Sequence, residues 1–546
     1  MSSLRKRSVS ALFPLPLVSE VRKRLPPNGR SRRRIANRAA VVQLQNAMVL
    51  FLNFEAAGRR REYSRAVGPT TPAQQRALAG IADAAKAMLC PEVLRGSLKT
   101  LGLGRGKIAA GWDSLAAIRH SVRLLETDTA HRQYRVSVPL GVAAGAAADE
   151  AVDVDIQRVK LPEQAATVHL ERFLTEPTVR ESFLHPSTLA DTTKEPFTGR
   201  VCDRVPRAER AAFLRALDRA GMLAAMRAPL GKRSGFFAVR KQWDPERRVW
   251  MLRLILDRRA RNAEEARVEP EEDTVPHGTC FLEMHLGPDE ELRVFATDLP
   301  QWYYRIAVSA ERAASNCFTT AEDGGEYRDT AAVQALLAEE GKPDDAEVGD
   351  VVFGLATLAM GDHNATTYAQ CGHVQLLREA GAMPAECMMT YRGVPPAGKV
   401  HEGVVIDDHA VAAAVPRRGW KRSAAGQRAR ELHEAGRRAY EAIGVPDVAA
   451  KRQDGLRTAV VWGCELQGSR GRAGGPRTRR AALAALTLAL CSSRVSTPEL
   501  LGRVLGLWTD LLLYRRVVYA VLSAAYQFLH RYRDEPQTAR TLTGPV

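Results

Sequence analysis

Two adjacent acidic residues interrupt an apolar run late in the chain. The segment Val404-Val-Ile-Asp407-Asp408-His-Ala-Val411 reads as a strand apart from its two carboxylates. A third acid, Asp298, ends another apolar segment, Leu292-Arg-Val-Phe-Ala-Thr-Asp298. Neighbouring residues of a strand point to opposite faces, but the tip of a hairpin would bring both members of the pair close to a shared cation. An exposed Asp-Asp turn between two strands is the alternative.

These three acids are suited to a metal if their strands pair side by side. Mg²⁺ prefers carboxylate oxygens together with substrate phosphates. Two such ions about 3.5–4 Å apart stabilise both the attacking and the leaving oxygen in phosphoryl transfer. The pattern therefore favours a site with two Mg²⁺ ions held by Asp298, Asp407 and Asp408, as a polymerase needs.

Other segments follow in a fixed order around the acids. They are Gly235-Phe-Phe-Ala-Val-Arg-Lys241, Arg253–Asn262, Phe295–Val308, Ala359–Gln370, Val405–Asp408, Ala439–Lys451 and Val461–Gly468. In this order they resemble the fingers motif, motifs A to D and the primer grip of retroelement reverse transcriptases, as found in long-terminal-repeat and tyrosine-recombinase retrotransposons. The helical stretch Arg477–Leu529 resembles the thumb and connection helices of those elements.

The resemblance implies a right-hand polymerase of the α+β class, with fingers, palm and thumb. It implies that the three acids align the primer 3′-hydroxyl for attack on the α-phosphate. Lys241 and Arg253 would bind the triphosphate, because their charges neutralise the developing pyrophosphate. Lys451 would protonate that leaving group as a general acid. Plain solvated charge is the alternative for these basic residues.

Three further residues would contact the nucleotide in this scheme. Tyr303 would press on the sugar and exclude a 2′-hydroxyl, whereas Tyr304 is expected to pack in the core. Gly361 and Asn364 would open the motif B helix, where backbone N–H groups can meet nucleotide and template. A packed core tyrosine and a simple helix cap are the respective alternatives.

The chain departs from the family pattern at several positions. Val405 replaces the usual aromatic or long residue before the acid pair, and Asp362–His363 puts a polar pair into motif B. Arg261 stands where leucine is usual. The 109 residues from Asp298 to Asp407 suggest an insertion within 310–350. We find no second acidic cluster for an RNase H domain.

Composition limits the class of protein. The 546 residues carry 79 Lys and Arg against 62 Asp and Glu, a net charge of +17 that points to polyanionic partners. Ordinary apolar and charged fractions exclude a wholly disordered chain, and the longest apolar stretches are broken by charges, so no membrane span is expected. An intracellular location, nuclear or cytoplasmic, is expected.

The sequence predicts five regions. Residues 1–35 form a basic disordered arm, 36–200 a mainly helical region of unknown role, 205–475 the fingers and palm, 476–532 a helical thumb or connection, and 533–546 a tail. A capping box at Ser496-Thr-Pro-Glu499 is expected to begin one of the late helices.

The predicted function is that of an RNA-directed DNA polymerase, a nucleotidyltransferase acting on an RNA or DNA template with a primer and on deoxynucleoside triphosphates. The alternative is a catalytically inactive, retroelement-derived nucleic-acid-binding protein. Template identity and oligomeric state stay open.

Overall fold

The computed structural model describes residues 14–18, 42, 45, 46, 48–50, 52, 53, 70–88, 122, 151–227, 233–244, 246–445, 447–493 and 495–542. The chain divides into two compact units, residues 127–474 and residues 1–126 with 475–546. The predicted basic arm, apart from residues 14–18, and most of the predicted helical region before residue 150 lie outside the described residues. None of the helices in the described ranges has the length and apolar character to cross a membrane.

The α-helices, numbered α1 to α12 in chain order, are Pro72–Met88, Pro177–Leu184, Arg210–Arg219, Arg259–Asn262, Trp302–Arg305, Ala310–Ser315, Ala331–Glu339, Ala365–Glu379, Ala424–Ala442, Arg477–Ser493, Pro498–Leu512 and Ser523–Arg531. The 3-10 helices are Ile156–Arg158, Leu170–Arg172, Pro186–Leu189, Arg207–Glu209, Gly278–Glu283, Ala385–Cys387, Trp420–Arg422, Ala449–Lys451, Gly468–Arg470 and Leu513–Leu522. The strands β1 to β14 are Leu223–Met226, Gly235–Asp244, Val249–Asp257, Glu290–Asp298, Glu322–Asp323, Asp350–Leu355, Val400–Val405, Asp408–Pro416, Gln453–Leu456, Thr458–Val461, Cys464–Gln467, Arg472–Gly474, Val495–Ser496 and Arg540–Thr541.

The predicted mixture of helices and strands is confirmed. A four-stranded sheet in the order β7-β8-β4-β9 carries Asp298 and Asp408 at the ends of its two central strands. β8 is buried along nearly its whole length, since its alanines leave room for α9 to pack against it. α9 begins at Ser423, whose hydroxyl accepts a hydrogen bond from the Gly426 amide at 3.1 Å. Its buried residues recur every three or four positions, which is the stripe a helix needs to lie on a sheet.

Residues 235–257, which include segments that resemble the fingers motif, form a hairpin. β2 pairs with β3 in antiparallel register, with Val239 opposite Arg253, and the chain turns at residues 244–249. Leu252, Leu254 and Leu256 are buried at alternate positions of β3, so Arg253 projects from the other face. The register shifts between Arg240 and Gln242, and Lys241 lies at this irregularity. Such a bulge re-aims a side chain, here that of a residue predicted to bind phosphate.

The segment expected to hold an insertion is built into the main core. Residues 310–355 form α6, β5, α7 and β6, and β6 pairs with β1, more than a hundred residues earlier in the chain. Phe353 and Val351 from β6 pack in one cluster with Phe213, Phe236 and Leu254. The long spacing between Asp298 and Asp407 therefore contains two strands of a second sheet, β5 and β6, whose third strand is β1.

The described residues of the second unit are mainly helical, with a small strand pair. α10, α11 and α12 share a core that includes Leu486, Val504 and Phe528. The expected cap of α11 is shifted by one residue, because Ser496 is engaged in β13 opposite Arg540. Thr497 is the N-cap, and its hydroxyl accepts from the Leu500 amide at 3.2 Å.

Candidate active site

Two neighbouring strands end at the acids. β4 and β8 are antiparallel, and Asp298 lies directly opposite Asp408 in their register. Directly opposed residues leave the same face of a sheet, with Cβ atoms about 4.5–5.5 Å apart. Just beyond the last pair, the Leu299 amide donates to the Asp407 carbonyl at 2.9 Å. The hairpin tip expected for the acid pair is thus fixed beside the end of the Asp298 strand.

The tip itself is a tight turn through Ile406 and Asp407. Ile406 has a φ of +57°, in the left-handed region, although its side chain is branched at Cβ and buried. A non-glycine residue in this conformation costs on the order of 1–3 kcal/mol and persists only where its surroundings hold it.

Two polar side chains of α8 hold this turn. Gln370 Oε1 accepts from the Ile406 amide at 2.7 Å, and its Nε2 donates to the Val404 carbonyl at 2.9 Å. His373 Nδ1 lies 2.7 Å from the Ile406 carbonyl, and its Nε2 lies 2.9 Å from the Tyr440 hydroxyl. Burial lowers the pKa of His373 to about 3, so the ring is neutral, with Nδ1 donating and Nε2 accepting.

The acids are electrostatically linked. The pKa of Asp407 is raised to about 6, first by burial and then by the charge of Asp298. Lys451, whose backbone leads into β9, donates from Nζ to Asp298 Oδ2. Burial, and then the charges of Glu402, Asp447 and Asp408, raise the pKa of Tyr440.

The described residues contain no preformed group of three His, Cys, Asp or Glu side chains able to hold a metal ion. The chemistry of the donors nevertheless fits a cation. An ammonium already lies against Asp298. The pKa of Asp407 is raised first by burial and then by the charge of Asp298, and a cation would relieve that repulsion.

Basic side chains from the hairpin approach the same point. The pKa of Lys241 is lowered, first by partial desolvation and then by the positive charges of Arg253 and Lys451. The charges of Asp298 and Asp407 oppose that shift. Lys241, Arg253 and Lys451 are therefore within electrostatic range of the acids, and the fold groups these five predicted residues.

The adjacent tyrosines differ in their surroundings. Tyr304 is buried, and its hydroxyl donates to the Leu254 carbonyl at 3.3 Å, as expected for a core residue. Tyr303 is only half-buried, and its hydroxyl lies 3.4 Å from Thr366 Oγ1 at the start of α8. Burial of its hydroxyl end raises the pKa of Tyr303 to about 12, so it stays neutral. Its role at the sugar stays a prediction.

Gly361 and Asn364 make contacts away from the acids. Gly361 has a φ of +132°, and a Cβ there would lie 1.9 Å from the Leu256 carbonyl oxygen, so only glycine fits. Asn364 is buried, accepting from the Val268 amide and donating to the Ala266 carbonyl, both at 3.0 Å. These contacts tie the start of α8 to the segment after β3, and a role of this helix start in binding nucleotide stays a prediction.

The sequence reasoning missed a buried charged network beneath the site. Arg312 Nη1 bonds Asp362 Oδ2 at 2.8 Å, and Arg258 binds both carboxylate oxygens of Glu265 at 2.6 and 2.7 Å. Asp362 belongs to the polar pair that departs from the motif B pattern, so that departure was the available signal. Gln370 and His373 were also missed, although both follow Thr366 at helical spacing.

The chain shows limited similarity to known proteins. No family model matches the chain, and no curated protein sequence matches it. Among solved structures, it is similar to native prototype foamy virus protease-reverse transcriptase, with a TM-score of 0.32 and 13% identity over 52% of this chain and 29% of that one. It is also similar to a foamy viral protease-reverse transcriptase in complex with double-stranded DNA, with a TM-score of 0.35 and 9% identity over 89% of this chain and 64% of that one. The chain thus spans less than two thirds of these proteins, and TM-scores of this size do not define a family.

Proposed function

We propose that this protein is an RNA-directed DNA polymerase, with the acidic end of the β7-β8-β4-β9 sheet as its active site. One observation carries the proposal. Asp298 is opposed to Asp408 across paired strands, while Asp407 in the adjoining turn is electrostatically coupled to Asp298. Carboxylates at the ends of separate strands, surrounded by basic side chains, are the arrangement that phosphoryl transfer to a primer requires.

Asp298 and Asp407, with Asp408 beside them, would hold two Mg²⁺ ions. When bound, these ions would stabilise negative charge on the attacking and leaving oxygens. Lys451 must release Asp298 before a cation can bind there. Its ammonium, largely exposed, would then be available to donate a proton toward the pyrophosphate.

Lys241 and Arg253 would bind the triphosphate of the incoming nucleotide. Arg253 offers a planar fork of donors and Lys241 a compact charge, and both project from the β2-β3 hairpin toward the acids. Burial, and then the charges of Arg253 and Lys451, lower the pKa of Lys241, and a phosphate between Lys241 and Arg253 would relieve their repulsion.

Primer extension tests the proposal. The full-length protein is incubated with a DNA primer annealed to an RNA template, with Mg²⁺ and all four deoxynucleoside triphosphates. We expect the primer to be extended to longer products. A parallel reaction on a DNA template of the same sequence shows which template the protein prefers. Failure to extend either primer at any Mg²⁺ concentration would overturn the polymerase proposal.

The alternative function is nucleic-acid binding without catalysis. The ammonium of Lys451 on Asp298 favours it, because that ion pair already neutralises one acid without a metal. Such a protein would bind template–primer duplex, with log affinity falling by about 0.7–0.9 per phosphate contact for each unit of log salt, yet extend nothing.

Tyr303 provides a test of sugar selection. The variant Tyr303→Val removes the ring that would clash with a 2′-hydroxyl, so preference for deoxynucleotides over ribonucleotides is expected to fall about 10- to 100-fold. The measurement is single-nucleotide incorporation with matched dNTP and rNTP. Tyr304→Phe serves as the control, since it loses only the bond to the Leu254 carbonyl and should leave the ratio unchanged. An unchanged ratio in Tyr303→Val would remove Tyr303 from the nucleotide site.

A further inference from the structure

One face of α8 contacts both acid-bearing segments. Thr366, Ala369, Gln370 and His373 follow one another at spacings of three, one and three residues, so they lie on a single side of the helix. Ala369, Gln370 and His373 are buried, whereas Thr366 is exposed. The two segments that carry Asp298 and Asp407 approach this face separately.

The first segment is the chain just after Asp298. Trp302 is buried and donates from Nε1 to the Ala369 carbonyl at 3.4 Å. Its ring lies 5.6 Å, centroid to centroid, from that of His373. Tyr303 reaches Thr366 one turn earlier on the same helix. Residues four and five positions after Asp298 are thereby anchored to α8.

The second segment is the turn that carries Asp407. Gln370 binds the amide before Asp407 and the Val404 carbonyl, while His373 binds the Ile406 carbonyl. Tyr440 of α9 holds the other nitrogen of His373. Each of these polar groups is buried, so water cannot replace a lost bond at little cost.

We propose that Gln370 and His373 are positioning residues, and that through them α8 sets the separation between Asp298 and Asp407. The inference rests on the proposed function for its catalytic consequence. The positioning itself is a physical property of the turn. Ile406 holds a left-handed conformation that its branched side chain disfavours, so the turn relaxes when its bonds to α8 are removed.

The test compares two substitutions on the same helix. Gln370→Met removes both bonds to the turn, together with the contact of Nε2 to Thr274 Oγ1 at 3.2 Å, at nearly constant volume. Gln375→Met is the matched control, because Gln375 bonds only Glu379 of its own helix at 3.2 Å. His373→Phe is a second variant, which retains a ring against Trp302 while removing the bonds to Ile406 and Tyr440.

Hydrogen exchange of the segment 400–410 is measured first. We expect the Ile406 amide to exchange about 10- to 100-fold faster in Gln370→Met than in the wild type. In Gln375→Met its exchange should be unchanged. His373→Phe should accelerate exchange in the same segment. Unchanged protection of the turn in Gln370→Met, or equal acceleration in Gln375→Met, would overturn the positioning role.

The second measurement is the Mg²⁺ concentration that gives half-maximal primer extension. Displaced carboxylates bind the ion less well, so this concentration should rise about tenfold in Gln370→Met and stay unchanged in Gln375→Met. A loss of folded protein would lower the rate without moving this concentration. If the wild type extends no primer, the proposed function fails while the exchange measurement still decides the positioning role. Faster exchange with an unchanged Mg²⁺ requirement would contradict the claim that α8 sets the acid separation.

Discussion

Replacing Asp407 with asparagine is expected to abolish nucleotide incorporation and, in Mg²⁺-free buffer at pH 7, to stabilise the protein. The rate should fall about 1,000-fold or more, since a neutral amide lacks the negative charge that would hold the Mg²⁺ ion on which transfer depends. The gain in stability follows from the raised pKa of Asp407, which shows that its charged form is disfavoured in the folded state by burial and by Asp298.

The pH dependence of that gain has a definite sign. The folded state holds the Asp407 proton up to about pH 6, whereas the unfolded chain releases it near the ordinary carboxylate pKa. Between these values the folded state binds more protons, so this residue lowers the free energy of unfolding as pH rises. At pH 7 the wild type should be about 3 kcal/mol less stable than Asp407→Asn, and at pH 4 the difference should fall to about 0.5 kcal/mol.

Urea unfolding in EDTA at the two pH values measures this difference. Asp454→Asn is the matched control, because Asp454 lies exposed on β9 of the same sheet. Its stability should follow the wild type at both pH values. Equal stability of Asp407→Asn and wild type at pH 7 would show that the acids do not repel one another and would weaken the case for a cation site.

The second large effect is expected from the charged network under the site. Arg312 is fully buried, with Nη1 on Asp362 and Nε donating to the Phe183 carbonyl at 2.8 Å. Arg312→Met leaves the buried Asp362 carboxylate with the more distant guanidinium of Arg258, 3.7 Å away, and the Asn364 amide at 2.8 Å. Breaking a buried pair in this way costs about 3–5 kcal/mol, a large part of the stability of a typical domain.

Two further variants separate charge from packing. Adding Asp362→Leu to Arg312→Met removes the stranded carboxylate and should recover part of the loss, which a double-mutant cycle measures. Arg215→Met breaks an exposed pair with Asp329, 3.1 Å apart, and should cost no more than about 1 kcal/mol. If Arg312→Met were as mild as Arg215→Met, the buried network would have no structural role.

The strands that carry the acids were predictable from local pattern. Apolar runs ending in Asp298 and containing Asp407 indicated strands and a hairpin tip. These features depend on residues close in sequence. The fingers, palm and thumb arrangement drawn from the resemblance stays a proposal.

Pairings between distant residues were not predictable in the same way. Residues 310–350 looked like an insertion because of the long spacing between Asp298 and Asp407. No local periodicity reports that β6, which follows them, pairs with the distant β1. The hydrogen bonds that hold the turn carrying Asp407 were not predictable for the same reason. Gln370 reads as an ordinary polar residue of a helix until the fold brings Ile406 against it. The cap of α11 moved to Thr497 because a strand pairing at Ser496 outweighed the local capping pattern.

Single-turnover incorporation of one deoxynucleotide, by wild type and by Asp298→Asn, tests the central claim most directly. Each protein is mixed with a DNA primer on an RNA template, one matching deoxynucleoside triphosphate and Mg²⁺, and the primer is followed by length. Binding of the template–primer is measured alongside, so that loss of chemistry is separated from loss of affinity. The account predicts that the wild type adds one nucleotide and that Asp298→Asn binds the duplex equally well but adds none. Incorporation by Asp298→Asn at the wild-type rate, or its absence in a wild type that binds the duplex, would contradict it.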